Sequence, residues 1–524
     1  MEEKTTRSKN SVKNASISLI YFLIGNVFSF LMRTVLIRYI GIEYAGLNSL
    51  LTNIIGMLNI AELGLGTAVG YSLYKPLAEK NYKIINEILC LYKYLYRIIA
   101  LIVALIGIGV TIFINIFVNT NISIIEVRID FVLYLIATIL SYLLTFLNVL
   151  PSADQKNYMI VSIQNNGKII KNIIQLIFIV MTKNFYIWVI IEVIGNAIIY
   201  LYTNIKIKKE YTWYEKSNNQ TFNELINQNK DIVKRTKDLV FHKIGGMLVY
   251  QTDNILISYF GNLTDVGIYS NYMLIYSLLT GCVEQAFMGV SASIGNLIIK
   301  KEKSYVYNIW KEMYIIMIFA ATLFTFLFYK LVNPFISVFF GEEFILQNII
   351  VFAIAVNIMF RIIKNPIDKF KEAYGIFWDI YSPIVESILN LLFSILFAIK
   401  FGILGVVIGT IISNIVITIV WKPYVIFKHV FNQKFIKFCI ITLKYIIIGL
   451  ISILISNSII NIINFNIKNN IINLIELFAI YGIISTVIIL TIFLFDKNFR
   501  NTLSRYINIL VQMLKNKNKF EQSL

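Results

Sequence analysis

Runs of about 20 apolar residues recur along the whole chain and are separated by short polar stretches. A helix rises about 1.5 Å per residue, so each run is long enough to cross a hydrocarbon core of about 30 Å. The pattern therefore predicts an all-α integral membrane protein with fourteen transmembrane helices. The predicted spans are 14–40, 45–73, 96–118, 131–150, 159–181, 185–205, 240–260, 266–298, 313–339, 345–363, 376–399, 402–421, 438–457 and 471–495.

Composition supports a membrane protein and excludes several other classes. Of the 524 residues, 58% are apolar and 15% are charged. Soluble domains average about 45–50% apolar and about 25% charged residues, so a soluble enzyme is excluded. The longest polar stretch, 206–238, lacks a Gly-rich phosphate loop, so it contains no ATP-hydrolysing module. The three cysteines are isolated and the two histidines have no catalytic neighbour, so we expect no disulfide, metal site or catalytic residue.

A net charge of +18 would also suit a nucleic-acid-binding protein, but the distribution of the charge favours another explanation. Most basic residues lie at the two ends of the chain or in alternate loops, which the positive-inside rule assigns to the cytoplasm. Only seven of the 47 lysines and arginines fall toward the opposite side under the predicted topology. We therefore expect an even number of spans, cytoplasmic termini and no nucleic-acid partner.

A sequence repeat relates the first span to the seventh. Arg33 to Gly41 aligns with Asp253 to Gly261, and Glu62 aligns with Glu284. Both copies cross the membrane in the same direction, as in transporters whose two lobes rock about a central site. The predicted organisation is an N-terminal six-helix lobe at 1–205, a cytoplasmic linker at 206–238, a pseudo-symmetric six-helix lobe at 239–430, and two further helices with a basic cytoplasmic tail at 431–524.

Charged residues inside membrane spans are costly, which makes them candidates for function. Arg33 and Asp253 occupy equivalent positions in the repeat, and a guanidinium matches phosphate oxygens in pairs. One interpretation is an anion site gated by a movable Arg33–Asp253 ion pair, and the other is a permanent salt bridge between the lobes. Glu62 and Glu284 either couple lobe movement to protonation or cation binding, or are neutral glutamates bonded to neighbouring helices.

Lys168 and Lys171 are further cationic candidates in the fifth predicted span. Their spacing of three residues places them on one helix face. They either point into a cavity open to the cytoplasm or extend their long side chains to the lipid headgroups.

Several segments carry a resemblance to a known family. The chain resembles the Wzx-type oligosaccharide flippases, the polysaccharide-transport branch of the superfamily that also contains the MATE drug exporters and the lipid II flippase. The segments are Arg33-Thr34-Val35, Ala61-Glu62-Leu63-Gly64-Leu65-Gly66, Ala153-Asp154-Gln155-Lys156-Asn157-Tyr158, Thr252-Asp253-Asn254-Ile255, Lys371-Glu372-Ala373-Tyr374-Gly375 and Trp421-Lys422-Pro423-Tyr424.

The resemblance implies a MATE-like fold that moves an undecaprenyl-pyrophosphate-linked oligosaccharide from the cytoplasmic to the outer leaflet of a bacterial plasma membrane. It implies a cationic cavity for the pyrophosphate, for which Arg33, Arg38, Lys168 and Lys171 are the matching positions. Glu62, Asp253 and Glu284 are the expected coupling or gating residues, with Na⁺ or H⁺ as the coupling cation and no other cofactor.

Expected partners are the lipid-linked oligosaccharide, membrane lipids, and the polymerase and glycosyltransferases of a surface polysaccharide such as capsule or O-antigen. Two alternatives stay open at this point. A multidrug or cation exporter of the same fold would need an acidic or aromatic cavity. A membrane-embedded polysaccharide polymerase or ligase would need a large external loop, whereas the predicted external loops are short.

Overall fold

The computed structural model describes residues 2–59, 65–214, 221–229, 251–288, 291–376, 379, 381–462 and 470–508. Across these ranges the chain is almost entirely helical and contains no strand, which confirms the predicted all-α fold. The helices up to residue 228 are α1 (Glu2–Tyr39), α2 (Ile42–Leu58), α3 (Leu65–Ala78), α4 (Tyr82–Phe113), α5 (Ile124–Thr145), α6 (Val149–Ala153), α7 (Asn157–Thr182), α8 (Phe185–Glu210) and α9 (Phe222–Gln228).

The remaining helices lie in the described ranges from residue 251 onward. They are α10 (Asp253–Phe260), α11 (Leu263–Met288), α12 (Ser291–Lys300), α13 (Lys303–Phe339), α14 (Asn348–Ala373), α15 (Tyr381–Phe401), α16 (Ile403–Asn414), α17 (Lys422–His429), α18 (Phe435–Ile462) and α19 (Ile471–Leu494). A π-helical stretch, Ile415–Trp421, joins α16 to α17.

Eleven helices in the described ranges are long and apolar enough to cross a membrane. They correspond to the predicted first, third, fourth, sixth and eighth to fourteenth spans. Of the other three, the predicted second span includes residues 60–64 and the seventh includes 240–250, which lie outside the described residues. The fifth corresponds to α7, which is 26 residues long but carries two lysines and several asparagines. The total of fourteen stays a prediction.

Several helices begin earlier than the apolar runs indicate. The third predicted span begins at 96, whereas α4 begins at Tyr82, where Asn81 caps it by accepting the backbone N–H of Ile84 (3.2 Å). The ninth begins at 313 in the prediction and at Lys303 in α13. The difference arises because an apolar run marks only the lipid-embedded part of a helix, which continues into polar, capped turns.

The chain forms two compact units. The first contains residues 1–271 and 383–409, and the second contains residues 272–382 and 410–524. In the first unit α7 packs against α1 and α8, and α5 packs against α4, α8 and α2. In the second unit α13 packs against α14, α18 and α19. The two six-helix lobes at 1–205 and 239–430 stay a prediction.

An aromatic cluster forms the core of the second unit. Trp310 is fully buried, and its ring stacks on Tyr314 with 5.0 Å between the centroids. Phe427 meets the same indole edge-on at 5.1 Å, and Phe438 lies 6.2 Å away. These contacts tie α13 to α17 and α18, so the cluster is where we expect this unit to be most sensitive to a loss of side-chain volume.

We expect Trp310→Ala to lower the free energy of unfolding by about 3–5 kcal/mol, because it leaves a cavity among packed rings. Chemical unfolding of the purified protein in detergent measures this loss. Phe495→Ala is the matched control, since the Phe495 side chain is 81% exposed and should contribute little. Equal losses in the two variants would contradict the assignment of Trp310 to the core.

Candidate functional site

Arg33 lies inside the apolar part of α1 and is buried, with 8% of its surface exposed. Its Nε donates to Asn271 Oδ1 (2.7 Å), and its Nη2 donates to the carbonyl of Gly267 (2.7 Å). Nη1 donates to the carbonyl of Ala45 (2.7 Å) and to Ser49 Oγ (2.9 Å). All four acceptors are neutral, so no carboxylate among the described residues neutralises this guanidinium by direct contact.

Two glycines allow the helices around Arg33 to approach closely. A Cβ on Gly46 of α2 would lie 1.9 Å from the carbonyl oxygen of Leu263, and a Cβ on Gly267 of α11 would lie 2.5 Å from that of Ile42. Only glycine fits at such separations. The start of α2 therefore crosses the start of α11 backbone against backbone, and Arg33 binds carbonyl groups of both helices.

Asp253 is the first residue of α10 and lies in the same unit as Arg33. Its Oδ2 accepts the hydroxyl of Tyr269 (3.0 Å), while its Oδ1 is buried without a hydrogen-bond partner among the described residues. The side chains of Arg33 and Asp253 do not pair in the structure, although the repeat places them at equivalent positions. The anion-site and gating roles of these two residues stay predictions.

Lys168 lines a groove between α1 and α7. The groove has a volume of about 300 Å³ and combines apolar side chains with the amides of Asn26, Asn165 and Asn172 and the hydroxyl of Ser29. Lys168 is exposed, and within the described residues no carboxylate forms an ion pair with it. An exposed ammonium surrounded by amides and a hydroxyl suits an anionic, hydroxyl-rich group.

Lys171, one turn later, has a different environment. Its ammonium pairs with Glu192 Oε1 of α8 at 2.5 Å and also donates to Asn196 Oδ1 (3.1 Å). Glu192 Oε2 in turn accepts from Gln175 (3.0 Å). The predicted common face for Lys168 and Lys171 therefore divides, because Lys168 lines the groove while Lys171 is neutralised inside the α7–α8 contact.

The remaining predicted positions are scattered. Arg38 is exposed in the last turn of α1 and is not among the groups bound to Arg33. Glu62 lies outside the described residues. In the second unit, Glu284 Oε1 accepts from Nε of Arg361 (2.7 Å) and pairs with its Nη2 (2.6 Å). Sequence reasoning missed Arg361, although it lies inside the predicted tenth span, where an arginine is itself a signal.

Ion pairs also surround the C-terminal end of α14. Lys371 pairs with Asp379 (2.5 Å), whose other oxygen accepts the indole N–H of Trp421 (3.0 Å). Lys422 pairs with Asp368 (2.9 Å). Trp421 ends the π-helical stretch and Lys422 follows it directly, and the wider turn of that stretch changes the direction of these side chains. The Lys422–Asp368 pair binds α17 to α14, and Asp379 links Lys371 of α14 to the end of the π-helical stretch, so both lysines are neutralised.

The segment 153–158 that carries part of the family resemblance has a structural role at the start of α7. Lys156 binds Asp154 (3.1 Å) and Glu210 at the end of α8 (2.9 Å). Partial burial opposes the charge on this ammonium, but the two carboxylates outweigh it and raise the pKa of Lys156. The segment thus fixes the α6–α7 turn to α8.

Two further parts of the described structure were candidates for binding sites, a metal-ion site and a large cavity, and neither suits an anion. In the ranges that the structure describes, no three His, Cys, Asp or Glu side chains are grouped so that they could hold a metal ion. A cavity of about 450 Å³, lined by residues of α2, α4, α10 and α15 such as Met57, Val110, Ile255 and Leu391, is almost wholly apolar and presents no charge. The Arg33 site and the Lys168 groove are therefore the candidates for binding an anion.

The family model described as "Polysaccharide biosynthesis protein" matches residues 11–292, which is more than half of the chain, and the chain belongs to this family. A comparison with curated protein sequences finds no match. The match to the family rests on the first unit and the beginning of the second, the part of the chain that contains Arg33 and Lys168.

Solved structures show the same fold. The inward closed conformation of the lipid II flippase MurJ aligns with a TM-score of 0.64 and 19% identity, covering 91% of this chain and 99% of that one. A point mutant of the Vibrio cholerae MATE transporter VcmN aligns with a TM-score of 0.54 and 15% identity, covering 79% and 95%. These likenesses confirm the predicted MATE-like fold of a multi-pass membrane protein.

The Lys171–Glu192 pair generates a prediction about stability. Lys171→Met leaves the Glu192 carboxylate, whose side chain is 26% exposed, without its buried cation, which should lower the free energy of unfolding by about 1–3 kcal/mol. Adding Glu192→Gln should restore most of that loss, because both charges are then absent. Chemical unfolding in detergent measures both variants. Lys168→Met, in the groove, is the control and should leave the free energy of unfolding unchanged. A comparable loss in this variant would contradict the conclusion that Lys171 is ion-paired whereas Lys168 is not.

Proposed function

We propose that this member of the polysaccharide biosynthesis family is a flippase for lipid-linked oligosaccharides. It moves an undecaprenyl-pyrophosphate-linked repeat unit from the cytoplasmic to the outer leaflet of a bacterial plasma membrane, by alternating access and without making or breaking bonds. Both termini are cytoplasmic in this proposal. The observation that carries it is the guanidinium of Arg33, which is buried in a membrane-spanning helix and, among the described residues, held only by neutral acceptors.

The physical problem of flipping is the charged headgroup. An isolated ion in hydrocarbon costs on the order of tens of kcal/mol by Born estimates, so a pyrophosphate needs compensating charge along its route. A guanidinium supplies paired donors that match phosphate oxygens. Because no carboxylate of the described residues pairs with Arg33, an arriving phosphate does not have to displace a counter-charge.

The neutral acceptors of Arg33 also indicate how binding acts on conformation. The guanidinium holds the α2–α11 crossing together through the carbonyls of Ala45 and Gly267. Phosphate oxygens compete for the same N–H donors and form stronger, charge-assisted bonds. Substrate thus binds more tightly to a state in which the crossing is released, which is the differential affinity that a population shift requires.

The Lys168 groove supplies a second, complementary surface in the same unit. Its amide and hydroxyl groups suit sugar hydroxyls, and its ammonium adds a positive charge. A multidrug or cation exporter would use an acidic or aromatic cavity, so the lysine in this groove favours an anionic substrate. Arg38 and Lys171 complete the proposed cationic set, with Lys171 acting only after its pair with Glu192 opens.

We expect Arg33→Ala to reduce transport about ten- to a hundredfold, because each hydrogen bond to a charged group contributes about 1.5–3 kcal/mol. Arg33→Lys should recover only part of the rate, since an ammonium lacks the planar fork. The measurement is transfer of a labelled polyprenyl-pyrophosphate sugar between leaflets of proteoliposomes.

Arg500→Ala is the control, because Arg500 is exposed and lies in the second unit, away from the Arg33 site. Normal transport by Arg33→Ala would remove Arg33 from the proposal. The same vesicles test the function itself, since a flippase transfers the label without forming new glycosidic bonds. Chain growth on the labelled lipid would instead identify a polymerase.

A further inference from the structure

Asp130 is an ionisable residue in a membrane-spanning segment. Its side chain has no hydrogen-bond or ion-pair partner among the described residues. It lies in α5, within the span Ile124–Ala153, and its side chain is fully buried. Neither carboxylate oxygen accepts or donates a hydrogen bond there. Sequence reasoning missed it, because the predicted fourth span begins one residue later, at 131.

Helix α2 covers this carboxyl group. Glu126 and Tyr134 lie one turn before and one turn after Asp130 on the same face of α5. Tyr44 of α2 donates to Glu126 Oε1 (2.7 Å), and Asn48 of α2 accepts the hydroxyl of Tyr134. Since Tyr44 and Asn48 are also one turn apart, α2 brackets Asp130 from both sides.

The other groups facing Asp130 are neutral or acidic. The hydroxyl groups of Tyr44, Tyr134 and Tyr186 of α8 are close enough to interact electrostatically with a charge on Asp130. The Glu126 carboxylate also interacts electrostatically with Asp130. The adjoining part of α4, residues 98–113, contains no titratable side chain. Arg128 donates to the carbonyl of Ile112 (3.2 Å) and not to Asp130.

This environment decides the state of the carboxyl group. An ionised carboxylate buried without a hydrogen bond or a cation is among the most costly groups a protein can contain, and a second carboxylate one turn away adds repulsion. A neutral carboxylic acid avoids both costs. In this conformation Asp130 therefore holds a proton.

We propose that Asp130 is a proton-binding site controlled by α2: the carboxyl group is protonated while α2 covers it and releases its proton to water when α2 separates from α5. Glu126, which is partly exposed and bound by Tyr44, is the positioning residue that lies between Asp130 and the polar start of α5.

Helix α2 also connects this proton site to Arg33. Ala45 and Ser49, one residue further along α2 than Tyr44 and Asn48, provide the carbonyl and hydroxyl that bind the guanidinium. A movement of α2 that frees Arg33 therefore also uncovers Asp130. By linkage, protonation of Asp130 favours the Arg33-bound position of α2, and anion binding at Arg33 favours proton release. This coupling rests on the proposed function, whereas the proton site does not.

A hydrophobic carbodiimide tests the proton site directly, because it adds to protonated carboxyl groups in apolar surroundings. The full chain in lipid nanodiscs, without substrate, is labelled over a range of pH and the adduct is located by peptide mass spectrometry. We expect labelling at Asp130 that falls about tenfold per pH unit above its midpoint, as for one titrating group. Asp154, ion-paired with Lys156 outside the spans, is the control and should stay unlabelled.

Each other result overturns the proton site. No adduct at Asp130, or labelling independent of pH, would show that this carboxyl group does not exchange a proton. Loss of labelling on adding Na⁺ at constant pH would identify the Glu126–Asp130 pair as a metal-ion site instead. Locking α2 to α5 by a disulfide between Asn48→Cys and Tyr134→Cys should shift the labelling midpoint to higher pH, and an unchanged midpoint would refute control by α2.

Asp130→Asn tests the coupling, since it mimics the protonated state without changing side-chain size. In proteoliposomes the unsubstituted chain should transport at a rate that depends on the pH gradient, and the variant at a rate that does not. If the variant keeps the gradient dependence while carbodiimide labels Asp130 in the unsubstituted chain, the proton site stands and its coupling to transport is refuted. If no leaflet transfer occurs with either protein, the proposed function fails and the labelling result is unaffected.

Discussion

A guanidinium can be buried inside a membrane only where acceptors reach all of its donor edges, and this requirement organises the first unit. The acceptors for Arg33 are two side chains and two backbone carbonyls, drawn from α2 and α11. Carbonyls at the start of two helices can converge on one side chain only if the helices nearly touch. Gly46 and Gly267 make that approach feasible, so the position of the charge and the crossing of the helices depend on each other.

The charges within the membrane-spanning helices fall into two kinds. Lys171 with Glu192 and Lys422 with Asp368 form close pairs between neighbouring helices, and Lys371 pairs with Asp379 just after the end of α14; in each pair the charges neutralise one another. Within the described part of the chain, Arg33 and Asp130 are not paired with an opposite charge, and both are covered by α2. The paired charges thus hold the helix packing, while the Arg33 guanidinium and the Asp130 carboxyl group, both buried, are separated from ions of opposite charge by a single helix.

The fold could be predicted from the sequence because lipid is a uniformly apolar solvent, in which the length and composition of a segment largely decide whether it spans. α7 departs from this rule because it buries Lys171 and the amide of Gln175 against α8. The site could be predicted only in part. Arg33 was conspicuous as a charge in an apolar run, but backbone carbonyls such as that of Gly267 leave no mark in the sequence. Asp130 and Arg361 lie near the ends of apolar runs, where a charged residue is readily interpreted as the end of the membrane span. The expected ion pair between Arg33 and Asp253 was based on their equivalent positions in the repeat, but residues at equivalent positions of a repeat need not be in contact.

The crossing of α2 over α11 has a kinetic implication. Most helix interfaces interdigitate, so parting them requires many side chains to leave their holes and change rotamer together. Here the main chain at Gly46 lies directly against that of Leu263, and Arg33 binds carbonyl groups of both helices. At these two glycines few side chains have to change rotamer when the helices part, so the hydrogen bonds of Arg33 account for much of the barrier to separating this crossing.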